Sequence, residues 1–137
     1  MLRSAFPVRL APVLLSVCLL LGACATSPGG TAGGLSEVMQ RPAERALMTG
    51  LRAYDDGQYV DAERELKLAL GTGLVSSKDR AMAHKHLAFV YCSSQRVKNC
   101  EAAFRAARAS DADFALSRAE AGHPLWGPVY KRLVAGI

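Results

Sequence analysis

Residues 10–21 (LAPVLLSVCLLL) are the one long apolar run in this chain, and they limit what the remainder can become. As a helix, about 12 residues span roughly 18 Å, well short of the ~30 Å hydrocarbon core of a bilayer. Arg3 and Arg9 precede the run and no acid does. This is the basic and apolar layout of a secretory signal peptide. The run ends in Leu21-Gly22-Ala23-Cys24, so residues 1–23 read as signal peptide. A Gly-rich stretch follows (TSPGGTAGGLS), which makes residues 24–41 a flexible tether reaching roughly 20 Å as a random coil. About 100 residues of the 137 are left to fold, enough for one small domain over 42–137. A multidomain enzyme and a polytopic membrane protein are both excluded.

Small residues directly before a cysteine resemble a bacterial lipobox. The resemblance implies a thioether-linked diacylglycerol on Cys24, then an amide-linked acyl chain (palmitate or similar) on its freed amine. Three acyl chains anchor far more firmly than one. Ala25 replaces the Asp that favours inner-membrane retention, so the resemblance implies the outer membrane, periplasmic face. The competing reading is an ordinary signal peptide in which Cys24 is incidental.

The four cysteines divide accordingly. Cys18 leaves with the signal peptide and Cys24 is lipidated, leaving Cys92 and Cys100 in an oxidising compartment. A disulfide between them closes a small loop and contributes about 2–3 kcal/mol in the chain-entropy model. Two reduced, buried helix residues are the alternative. A metal site is not expected, because two thiols without His at ligand spacing leave the ligand set incomplete.

The domain reads as all-α. Good helix formers dominate, and no long stretch alternates with period two. Pro42 opens a helix with Ala43, Leu47, Leu51 and Tyr54 on one face, ended by Asp55-Asp56-Gly57. A second runs from Tyr59 to Gly71–Gly73. Ser76 or Ser77 caps a third, broken at Ser93-Ser94-Gln95, and a fourth follows from Val97. Residues 110–113 are expected to cap a fifth helix reaching Ala121, and a last short helix starts near Pro128.

Gly50, Gly57, Tyr59, Ala62, Leu66 and Ala69 fall on spacings that resemble a tetratricopeptide repeat. Leu87, Ala88, Tyr91, Cys100, Phe104 and Ala107 match a second unit less fully, 38 residues on. The usual period is about 34, which places the extra residues in the loop over 71–78. The resemblance implies two helical hairpins, with C-terminal capping helices completing a thin core. Leu125, Trp126 and Tyr130 are expected to supply that cover.

It also implies a concave face lined by Leu47, Leu51 and Tyr54 from the first unit and by Lys85 and Phe89 from the second. This mainly apolar surface suits a helix or extended peptide of a protein partner. The alternative is that the C-terminal helices pack there and fill it.

No catalytic constellation is present. His84 and His86 are i, i+2 on a helix and diverge, so neither a shared metal nor a cofactor site is expected. His123 reads as a structural turn residue. Nothing places a nucleophile beside a base, and no small-molecule substrate is implied.

Charge is segregated. Residues 35–79 hold six Lys/Arg and eight Asp/Glu, whereas residues 80–137 hold nine and four. Arg96, Lys98, Arg105 and Arg108 are either a solvated outer face or a basic patch for an acidic partner or phospholipid head groups. The compartment excludes nucleic acid.

Residues 85–92 (KHLAFVYC), Cys100 and residues 121–130 (AGHPLWGPVY) are similar to the TssQ-like lipoproteins associated with type VI secretion clusters. The resemblance covers roughly residues 44–132. It implies an accessory lipoprotein that places or stabilises an envelope-spanning secretion apparatus, without catalysis. Two other expectations compete with this scaffold: a pilotin-like carrier of an outer-membrane subunit, and a docking regulator of peptidoglycan enzymes.

Overall fold

The computed structural model describes residues 41–136, all of which belong to one compact unit. The expected signal peptide, Cys24 and most of the tether lie outside the described residues. Among those described, the fold is all-α, with no strand. The helices are α1 (Pro42–Asp55), α2 (Tyr59–Thr72), α3 (Ser77–Ser93), α4 (Val97–Ser110), α5 (Arg118–Ala121) and α6 (Gly127–Ala135).

α1 pairs with α2, and α3 with α4. Gly50 sets the first pairing. A Cβ there would lie 2.9 Å from the Leu66 side chain and 3.0 Å from the Leu66 backbone nitrogen, so only glycine admits the approach. In the second pairing Cys100 and Phe104 are fully buried, and a disulfide joins Cys92 to Cys100 across the turn.

The two hairpins repeat residue for residue over most of their length. α1 ends at Asp55 and α3 at Ser93; α2 covers Tyr59–Thr72 and α4 covers Val97–Ser110, each shifted by 38. The turns match as well. Gly57 (φ 73°) and Gln95 (φ 61°) both adopt the left-handed conformation. The Gln58 amide donates to the Ala53 carbonyl at 2.8 Å, and the Arg96 amide donates to the Tyr91 carbonyl at 2.8 Å.

The inserted residues only partly become loop. α3 starts three residues earlier than α1 in the shared register, with Ser76 as its N-cap. The Ser76 hydroxyl accepts from the Asp79 amide, satisfying a free donor of the first turn. Arg80 bonds the Leu74 and Val75 carbonyls at 2.8 Å each, and buried Leu74 pins the loop to the core.

The C-terminal part departs from expectation. Residues 110–113 end α4 instead of starting a fifth helix: the Asp111 carboxylate accepts from the Asp113 amide at 3.1 Å, a local turn that competes with helix. The helix start lies at Ser117, whose hydroxyl caps Glu120 while the Glu120 carboxylate bonds the Ser117 amide. This reciprocal capping box leaves α5 only four residues long. The expected cover is also only partly supplied. Trp126 and Tyr130 are buried, but Leu125 is 53% exposed, turned outward by the bend before α6.

α6 is fastened to α4. Tyr130 lies 5.2 Å from Phe104, centroid to centroid, and its hydroxyl accepts from the Leu116 amide at 3.3 Å. Among the described residues, the buried hydrophobic core runs from Ala43 to Tyr130.

Candidate functional site

The five residues expected on the concave face do come together, but as a face already half covered. Leu47 is buried, while Leu51 and Tyr54 are partly buried beside it on α1. From α3, Phe89 reaches Tyr54, with centroids 6.1 Å apart. His86 sits between them in edge contact, 5.1 Å from Tyr54 and 5.7 Å from Phe89.

The chain's own C-terminal segment occupies the second-hairpin half. Trp126 stacks on Phe89 at 4.3 Å and on His123 at 3.3 Å. The Trp126 indole N–H donates to the Glu120 carbonyl at 2.9 Å, which fixes the ring. Lys85 Nζ donates to the Glu120 carboxylate at 2.7 Å and lies 5.7 Å from the Phe89 ring centre. Phe89 is only 3% exposed as a result. Lys85 and Phe89 therefore hold the C-terminal segment, and the open part of the face is Leu51, Tyr54 and the edge of His86.

Burial shapes the titration of this face. It lowers His86 below the ordinary imidazole range; the Met82 carbonyl, bonded by Nδ1–H at 2.8 Å, opposes that and Lys85 reinforces it. Burial raises the Tyr54 phenol, with Tyr59, Asp55 and Glu120 adding to the effect. At Glu120 burial pushes upward, but hydrogen bonds from Lys85 and Ser117 outweigh it and leave the carboxyl below its usual value. His86 is thus neutral at pH 7, with a protonated Nδ1, while Lys85 and Glu120 form an ion pair.

His86, Glu120 and His123 were not anticipated as members of this site. The i, i+3 spacing of His86 and Phe89 is the signal that puts His86 on the face. Glu120 and His123 carry no comparable signal, since their contacts depend on how the C-terminal segment folds back. His123 accepts from the Leu125 amide at 3.2 Å, a turn-forming bond.

Elsewhere, Glu63 accepts from Lys67 at 2.7 Å and from Arg96 at 2.6 Å, linking α2 to the α3–α4 turn. The Arg96 bond, working against burial, holds the Glu63 carboxyl at about 2. The Arg96 guanidinium also covers Tyr91 at 4.5 Å. These contacts brace the hairpins against each other. Among the described residues, no three His, Cys, Asp or Glu side chains stand together as metal ligands, and no helix is long and apolar enough to cross a membrane.

The arrangement can bind a surface by apolar contact, edge-on aromatic contact and one half-buried ion pair. Compared with protein-family models, curated proteins and solved structures, the chain matches none.

Proposed function

We propose that this chain is a lipid-anchored periplasmic scaffold of the outer membrane, an accessory protein-binding component of a type VI secretion apparatus. Cys24 carries the lipid, the tether over 24–41 gives it reach, and the helical domain docks a protein partner without catalysis or cofactor. The observation that carries the scaffold reading is the internal repetition. Two hairpins related by a 38-residue shift, down to their turn hydrogen bonds, are the architecture of proteins that present extended surfaces rather than reaction centres. The matching turns also support the tetratricopeptide-like reading of residues 50–69 and 87–107.

The docking edge is Leu51–Tyr54–His86. A pilotin-like carrier needs an open trough for a helix, and Trp126 on Phe89 weighs against one in the second hairpin. A photo-crosslinker at Leu51 or Tyr54, in cells bearing the secretion cluster, is expected to capture an envelope component of that apparatus. The same group at Val60, 83% exposed on α2, is expected to capture none. Equal capture at all three positions, or secretion unchanged by Leu51→Glu with Tyr54→Glu, overturns the docking reading. Absence of palmitate label that depends on Cys24 overturns the anchor.

A further inference from the structure

A second surface lies on α4 and α6. α4 and α6 together bear five cations (Lys98, Arg105, Arg108, Lys131 and Arg132) and one carboxylate, Glu101. Lys98, Glu101, Arg105 and Arg108 are spaced by three and four, so they share one face of α4. Glu101 is divided between two guanidiniums, Arg105 at 3.3 Å and Arg132 at 4.0 Å. Both arginines are exposed, and Lys98 and Arg108 have no ion-pair partner among the described residues. One carboxylate thus faces four cations, a surplus of three. The Arg132 contact and the Tyr130–Phe104 packing hold α6 against α4, so these charges form a fixed array.

Arg105 and Arg108 rim a cleft of about 460 Å³ whose other walls are Ala109, Ala112 and Leu133. Val134, beside Leu133 at the end of α6, is 51% exposed. A cationic rim above a small apolar floor matches a phosphodiester with the glycerol and first methylenes beneath it. An acidic protein would satisfy the charges but leave the floor empty. Helix dipole compensation accounts for Arg108 at the α4 C-terminus, but not for Lys98 at its start.

We propose that the α4–α6 face is a docking surface for an anionic phospholipid bilayer. It lays the domain against the membrane through Lys98, Arg105, Arg108 and Arg132. The proposal does not depend on lipidation of Cys24, because the charges lie entirely in the folded domain.

Each cation near an anionic surface contributes about fivefold to partitioning. The test uses residues 24–137 with Cys24→Ser, which keep the tether and the entire compact unit and carry no lipid. Sedimentation with phosphatidylcholine vesicles is compared with vesicles that are about one-third phosphatidylglycerol. Binding is expected only to the anionic vesicles and is expected to disappear at high salt. Arg105→Gln with Arg108→Gln should weaken it by ~25-fold. Arg64→Gln, on the exposed face of α2, should leave it unchanged. Equal partition into both vesicles, or an unaltered double variant with native circular dichroism, overturns the proposal. So does binding of soluble glycerophosphate, or of an acidic protein through these arginines, without binding to vesicles.

Discussion

Trp126 stacks on Phe89, with ring centroids 4.3 Å apart and planes inclined by 24°, and this stack ties the C-terminal segment to the second hairpin. It turns a two-hairpin array, too short to bury its own faces, into a closed core. Trp126→Ala removes the cover of Phe89 and the bond to the Glu120 carbonyl, and is expected to cost about 3–5 kcal/mol. Trp126→Phe keeps most of the stacking and should cost markedly less. Urea unfolding of the two variants checks the order; a loss under about 1 kcal/mol for the alanine variant would remove the stack from the core.

The histidines predict a mild acid sensitivity. Burial lowers both His84 and His86 below their ordinary value, so the unfolded chain binds these protons more readily than the folded one. Their contribution is complete above about pH 6.5 and is lost as pH falls through the lowered values. Glu63 and Glu120 have lowered carboxyls and lose their contribution only at more acid pH, Glu63 as pH falls towards about 2. The midpoint of unfolding should therefore drop between pH 7 and 5 in the parent chain. It should stay nearly flat across that interval in His84→Gln with His86→Gln.

The ends of the first four helices were legible because each is marked by a local signal: Pro42, the Gly57 and Gly73 turns, the Ser76 cap and the Ser93–Gln95 break. The C-terminal region departs from its local sequence signals because two capping signals compete there. Residues 110–113 offer several capping side chains, but Ser117 and Glu120 satisfy each other reciprocally, and that pair wins. That Leu47, Leu51 and Tyr54 share one face of α1 is legible from helical spacing. The cover of Phe89 is not, because Trp126 lies 37 positions beyond it and nothing local specifies that return. The Glu63–Arg96 bond is hidden in the same way, being formed between neighbouring hairpins.

Gly57 and Gln95 occupy the same left-handed position of the two turns, which makes them a matched pair. A Cβ on Gly57 would meet nothing within 4 Å, so Gly57→Ala carries only the backbone cost, about 1 kcal/mol. Gln95→Gly relieves the same strain but gives the unfolded chain more freedom, so the net change should lie within about 0.5 kcal/mol. Thermal unfolding of both variants checks the asymmetry. A loss at Gln95 equal to that at Gly57 would mean its side chain, rather than its backbone, stabilises the turn.

Gly127 answers to a different constraint. A Cβ there would lie 2.6 Å from the Ala121 carbonyl oxygen, and backbone cannot move aside as a side chain can. Gly127→Ala should displace the start of α6 and cost about 1–3 kcal/mol. Because α6 carries Tyr130, hydrogen exchange should rise at the Leu116 amide, which bonds the Tyr130 hydroxyl. Unchanged exchange there would show that α6 holds its place without this close approach.

The Cys92–Cys100 bond spans eight positions and joins the last turn of α3 to the first turn of α4. Its Cα atoms are 5.2 Å apart, a distance the hairpin supplies without rearrangement. Closing so short a loop restricts the unfolded chain modestly, so reduction should cost about 2–3 kcal/mol. Cys92→Ala with Cys100→Ala should cost about as much, since alanine leaves only a small void at the buried Cys100 site. Serine is the poorer test, because a hydroxyl at fully buried Cys100 adds a desolvation penalty of its own. The loss should appear as faster exchange throughout the second hairpin, with α1 and α2 less affected, since the bond constrains only the α3–α4 turn. Uniform loss across both hairpins would mean that they unfold as one cooperative unit. Equal stability of the oxidised and reduced chains would show that packing around Cys100 and Phe104 holds this turn without the bond.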